Sequence, residues 1–204
     1  MKKQFACLWF TVTASIVLGG FPSTAFAQAD AGLTSQFLAQ AKSASDSQLG
    51  PIASELTGEI EKFGTGLATN AVIKGKLDET LKALTGGKDS EALTSAFDLV
   101  KGAKLTPDQI GVAKQVGNLT SAYVVQKNFA TLPGSQGDVA NIVSSLRSGN
   151  VTAAIPPLKN VATSAKLTDP QKQIITKVAD KYAPGWEKAK GAMDSIKKLP
   201  GLGN

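Results

Sequence analysis

Glu55 and Glu59 stand one helical turn apart, with Glu61 two positions further on. Carboxylates at i and i+4 project from one face of a helix, and such a pair can divide acid and base roles or hold a cation. The competing reading is a solvated acidic face that Lys62 partly neutralises, and no third convergent group accompanies the pair. We therefore assign no catalytic, cofactor-binding or metal-ligating residue on sequence grounds. Histidine is absent and Cys7 is the one cysteine. That composition excludes Ser–His–Asp and Cys–His catalysis, and the His/Cys sites that hold zinc, copper or haem. Gly86-Gly87 is followed by Lys88-Asp89, without the Lys-Ser/Thr ending of a phosphate cradle, and no Asp-rich calcium loop occurs. Tyr123 and Tyr182 read as core tyrosines with a hydroxyl at the edge. Asn118-Leu119-Thr120 and Asn150-Val151-Thr152 match a glycosylation sequon, but both asparagines suit helix or cap positions.

The elements that must carry these residues are announced by a stretch written twice. Ala103-Lys104-Leu105-Thr106-Pro107-Asp108-Gln109 returns 62 residues later as Ala165-Lys166-Leu167-Thr168-Asp169-Pro170-Gln171. Thr with Gln three positions on is a capping box, in which the hydroxyl accepts from the third helical N–H and the amide side chain returns to the N–H of the cap. Thr106 and Thr168 are therefore expected N-caps, and Pro107 sits where its missing donor costs nothing. Aligning Leu84–Gly117 with Leu146–Ala179 gives nine identities in 34 positions, most of them in the turn and cap. Duplication of a helical hairpin, 84–130 and 146–183, explains the pattern.

Helical periodicity fills the rest. The cleanest stripe is Leu49, Ile52, Ala53, Leu56, Ile60 and Phe63. A second run places Leu67, Ala71, Val72, Leu77, Leu81 and Leu84 together and stops at Gly86-Gly87. Ser90 is read as the cap of the next helix, with Leu93, Ala96, Phe97, Val100 and Ala103 inward. Ile110, Ala113, Val116, Tyr123, Val124 and Phe129 mark the core face of the helix after Thr106. Val139, Ile142, Val143 and Leu146 form a short linking helix, and Pro156-Pro157 are expected to confine the following helix to about 156–165. Ile174, Ile175, Val178 and Tyr182 face inward after Thr168. No stretch alternates with period two. The fold class is all-α: about eight helices as two or three hairpins joined by short linking helices, with no sheet.

Residues 1–27 read as a cleaved signal peptide: Lys2-Lys3, an apolar run from Cys7 to Gly20, then Ala25-Phe26-Ala27 as the cleavage site. The mature chain, 28–204, is then a single helical domain of 177 residues that does not span a membrane, exported to the periplasm or the exterior. Residues 28–98 carry a net charge of −4 and residues 99–204 carry +8. The cations are lysines except for Arg147. Bidentate reading of phosphates and bases favours arginine, so nucleic acid is set aside as a partner in favour of a protein or an anionic envelope surface. The segment 186–199 is basic and amphipathic, with Trp186, Ala189, Met193 and Ile196 on one side; it either docks on the bundle or lies on a membrane.

The two L-T-x-x-Q sequences, Leu105–Gln109 and Leu167–Gln171, resemble the paired motif of the small periplasmic stress chaperones related to Spy and CpxP. That resemblance implies an exported, all-α, enzymatically inactive protein that holds unfolded clients on a concave basic and apolar surface. From the residues themselves, the primary reading is an exported non-enzymatic interaction or structural protein of the bacterial cell envelope. A holdase-like chaperone and a carboxylate-based hydrolase are the alternatives. An open concave apolar face would favour the chaperone, a closed cleft around Glu55 and Glu59 the hydrolase, and a packed bundle a scaffold.

Overall fold

The computed structural model describes residues 31–66, 71–101, 104–164 and 166–184. The leader 1–27 and the basic segment 186–199, Trp186 included, lie outside the described residues, as do Leu67 and Ala103. The chain is all-α. Eight α-helices run α1 Ala31–Ser43, α2 Leu49–Gly66, α3 Ala71–Thr85, α4 Asp89–Phe97, α5 Pro107–Phe129, α6 Gln136–Arg147, α7 Val151–Ser164 and α8 Asp169–Tyr182, with a 3-10 turn at Asp98–Val100. No strand occurs among the described residues. Consecutive helices pack as hairpins, and α5 is the hub, in contact with α2, α4, α6 and α8.

Both capping boxes form. Thr106 and Thr168 are N-caps with nearly the same backbone angles (φ −69°, ψ 161° and φ −69°, ψ 162°), and in each the Gln side chain closes the box. Gln171 also bonds outside its box, where its Nε2 donates to the backbone carbonyl of Asn128 at 2.7 Å and ties the start of α8 to α5. The correspondence extends beyond the caps. Helix α3 ends at Thr85 and α6 at Arg147, α4 begins at Asp89 and α7 at Val151, and α5 begins at Pro107 and α8 at Asp169. Each pair is separated by the same 62 residues as the written repeat. Gly87 and Gly149, also equivalent, both take positive φ (71° and 74°) at the helix ends. At the first, Lys88 N–H donates to Ala83 O and Gly87 N–H to Leu84 O, the double bond pattern of a Schellman stop.

Four expectations need correction. Ile73, not Ala71 or Val72, leads the buried face of α3; Val72 is 61% exposed. Ile73, Leu77, Thr80, Leu81 and Leu84 keep the spacing of one helical face, whereas residues 71 and 72 fall on the opposite side. Ser90 is not a cap. Helix α4 starts at Asp89 after Lys88, which makes no side-chain cap bond. The Asp89 carboxylate instead accepts from Lys127 Nζ at 2.9 Å and Asn128 Nδ2 at 2.8 Å, pinning the start of α4 to the end of α5. Helix α6 is a full element packed on α5 and α7 rather than a linker, with Val139, Ile142, Val143 and Leu146 buried as expected. Finally, α7 runs through Pro156-Pro157 from Val151. Those prolines withdraw donors only from the carbonyls of Thr152 and Ala153, both in the exposed first turn where water substitutes. Asn150 caps this helix, its Oδ1 accepting from Ala153 N–H at 3.4 Å.

The decisive element is α5. Its sequence predicts one apolar face, but Val116 through Gln126 are buried without interruption. Small side chains make that possible: Gly117, Ser121 and Ala122 let neighbouring helices approach closely on several sides. Thr106→Ala is expected to cost about 1 kcal/mol of stability. Thr168→Ala should cost at least as much, because the loosened Gln171 also holds Asn128. Denaturant unfolding of the two variants checks this, and losses below a few tenths of a kcal/mol in both would contradict it.

Candidate functional site

Two depressions contain the residues singled out by the sequence. The first, about 580 Å³, lies between α2, α5 and α6 and is lined by Glu55, Glu59, Lys62, Gln115, Ser144 and Arg147 among others. Glu55 and Glu59 do share it, whereas Glu61 is exposed and takes no part. Each carboxylate is already occupied. Arg147 Nε donates to Glu55 Oε2 at 3.0 Å and its second nitrogen to Oε1, a bidentate pair across 92 residues of sequence. Lys62 Nζ donates to Glu59 Oε1 at 2.6 Å. Two carboxylates held by separate cations do not share a proton or a water, so the acid–base pairing envisaged for them is not assembled. The groove is open rather than a closed cleft.

The second depression is a slot of about 300 Å³ between α4, α5 and α8, closed at one end by the α6–α7 connection. Its apolar walls are Phe97, Val100, Ala113, Gly117 and Val151. Asn118 and Tyr182 line it, as do Lys114 and Lys181. Phe97 and the Tyr182 ring meet edge to face with centroids 5.9 Å apart, and Lys181 Nζ stands 5.2 Å from the Phe97 centroid. Burial pushes the Lys181 ammonium below its ordinary range, and the charges of Lys101 and Lys114 add to that while Asp98 opposes it. Asp98 is itself paired with Lys101 at 2.7 Å. Among the described residues no carboxylate lies within ion-pair distance of Lys114 or Lys181.

A polar chain joins the two depressions through the bundle. Arg147 O accepts from Gln115 Nε2 at 2.9 Å, Gln115 Oε1 from Asn118 Nδ2 at 3.4 Å, and Asn118 Oδ1 from the Tyr182 hydroxyl at 2.9 Å. That hydroxyl stands 3.2 Å from Ser121 Oγ. Tyr182 is thus a packed tyrosine whose hydroxyl is fixed by two buried side chains. Burial pushes its ionisation well above the ordinary phenol range, with Ser121 opposing. Asn118 is 8% exposed in the middle of α5, which leaves no room for a glycan. Tyr123 packs edge to face on Phe37 with centroids 4.9 Å apart, and burial, followed by the Asp89 charge, raises its ionisation too.

Sequence reasoning named Tyr182, Phe97, Val100 and Asn118 for their packing or sequon, but not as neighbours around one slot. No group of three or more His, Cys, Asp or Glu side chains able to hold a metal occurs among the described residues. No helix among them is long and apolar enough to cross a membrane. No protein-family model matches the chain, and neither a curated protein nor a solved structure matches it. The L-T-x-x-Q resemblance therefore stands on the two capping boxes alone.

A tyrosine held neutral in the folded state binds its proton more tightly there than in the unfolded chain, so folding stability falls as pH rises past the unfolded value of 10.0. Lys181, shifted down, has the opposite sign in the same alkaline range. Tyr123 has the sign of Tyr182, so part of the loss persists without Tyr182. Between pH 9 and 11 the parent protein should lose stability more steeply than Tyr182→Phe, measured by denaturant unfolding at each pH. Parallel profiles would contradict the placement of that hydroxyl.

Proposed function

We propose that this protein is an exported, non-enzymatic interaction module of the bacterial cell envelope, built on a duplicated helical hairpin and engaging a partner protein at the α4–α5–α8 slot. The observation that carries the reading is the slot itself: an apolar recess at the junction of the two repeated units, flanked by lysines that no described carboxylate neutralises. The rest of the described surface charge is largely matched at short range, as in Lys76–Glu79, Lys88–Glu91 and Lys172–Asp169. The groove beside Glu55 and Glu59 has its charges matched likewise, which favours a structural role for it over hydrolysis. Capture of unfolded clients calls for an extended concave apolar face, and a slot sized for one side chain favours a defined anchor instead. Export is supported by the leader-like composition of residues 1–27 and the Ala25-Phe26-Ala27 site.

The test uses the full-length chain in a bacterial host, with a photo-crosslinking residue at Val151 or Lys181 on the slot and at Ser54 on the other groove. The exported form should begin at Gln28 by mass spectrometry, and protein adducts should form from the slot positions and not from Ser54. An unprocessed chain retained in the cytoplasm, or an absence of protein adducts at the slot positions, would contradict the reading.

A further inference from the structure

The slot has a chemistry more specific than apolarity. At about 300 Å³ it lies at the lower end of the range for ligand sites and admits roughly one large side chain rather than an extended molecule. Its walls are an aromatic ring, two valines and the bare backbone of Gly117, where a Cβ would already come within 3.5 Å of the Phe97 ring. Flat apolar groups suit such walls. Polar and charged groups are set on its floor and rim. Asn118 spends one amide hydrogen on Gln115, and its second amide hydrogen has no acceptor among the described residues. Lys114 and Lys181 line the slot without a carboxylate partner, and Lys101 contributes its field from nearby. Three cations drawn together around one recess, with Asp98 as the counter-charge and already paired to Lys101, leave an excess of positive charge beside an apolar hole.

We infer that the slot is the anchor site for an acidic segment of a partner protein that inserts one aromatic side chain between Phe97, Gly117 and Val151 and lays the adjoining carboxylates against Lys114 and Lys181. This rests on the interaction reading above and adds the chemistry of the partner. Charge complementarity selects this occupant. The carboxylates relieve the mutual repulsion of the lysines, and the inserted ring gives Lys181 a second π face beside that of Phe97. The second Asn118 amide hydrogen meets a backbone carbonyl of the incoming strand. A neutral apolar segment would fill the recess and leave the lysines crowded. An acidic segment without an aromatic would leave it empty.

The probe is the peptide acetyl-Gly-Trp-Glu-Glu-Gly-amide, titrated into the ¹⁵N-labelled chain 28–204 and followed by amide shifts. Saturable shifts are expected at Gly117, Gly149, Val151 and Lys181. Replacing Trp by Ala, or both Glu by Gln, in the peptide should weaken binding at least tenfold. Lys114→Glu with Lys181→Glu should do the same at unchanged helix content; both side chains are surface-directed, and Lys114→Gln with Lys181→Gln serves if the reversal disturbs folding. Several results overturn the inference: no saturable shift, equal affinity for the Gln peptide, or shifts centred on the Glu55–Arg147 groove. Binding that appears only in a Trp186→Ala chain gives the slot to the protein's own tail and overturns it too. So does a response to phosphatidylglycerol vesicles but not to the peptide, which gives the face to a membrane. If the slot-face cross-links form while the peptide fails, the interaction reading stands and the acidic-aromatic chemistry falls.

Discussion

Helix α5 has no solvent face over the eleven residues from Val116 to Gln126, and everything else in the fold accommodates that. A helix buried all round would ordinarily be apolar all round. This one buries Asn118, Thr120, Ser121 and Gln126, each a group that costs roughly 1–3 kcal/mol if left unsatisfied. The protein meets the requirement locally and at long range. Thr120 and Ser121 return their hydroxyls to the carbonyls of Val116 and Gly117 at 2.8 Å. Gln126 Nε2 reaches Asp46 in the α1–α2 turn at 2.7 Å, and Asn118 meets Tyr182 on α8. Among the described residues no buried side-chain polar atom lacks a partner. Each long-range bond also fixes a neighbouring helix in register on α5, so satisfying the hub and orienting the shell are one problem.

The same constraint places the candidate site. Gly117 and Asn118 sit in the buried stretch, so the slot is cut into the hub rather than laid on the surface. The Tyr182 hydroxyl that completes Asn118 also fixes the end of α8, and with it Lys181 beside Phe97. On the far side, Gln115 passes the chain of bonds to Arg147, which holds Glu55. A partner in the slot therefore presses on side chains whose orientation is set by α2, α6 and α8 together. The repeated boundaries give this a simple origin: α4–α5 and α7–α8 are equivalent units, and the slot is where the end of the second meets the middle of the first.

What the sequence made legible was local. The Leu49–Phe63 stripe, the stop at Gly86-Gly87 and the two capping boxes depend on residues within a turn or two of one another, and each forms as read. Ser90 misleads as a cap because Asp89 looks like an ordinary first-turn acid; the partners of Asp89, Lys127 and Asn128, lie 38 and 39 residues away. The burial of α5 is hidden by its small polar residues, which give no one-sided periodicity. Their satisfaction depends on Asp46 and Tyr182, at separations of 80 and 64 residues. Glu55 and Glu59 are visible as a pair, but Arg147, the partner that decides their role, is 92 positions from Glu55. The slot is the least legible feature, since its walls come from four segments that only tertiary packing brings together.

Native-state hydrogen exchange on α5 tests the central claim most directly. If α5 is the hub on which the shell is registered, the amides of Val116–Gln126 can exchange only when the whole bundle opens. Their opening free energies should then equal the global unfolding free energy from denaturant and exceed those of α1, α3 and α8. Exchange of those eleven residues through local opening, at free energies no higher than those of the outer helices, would contradict the account.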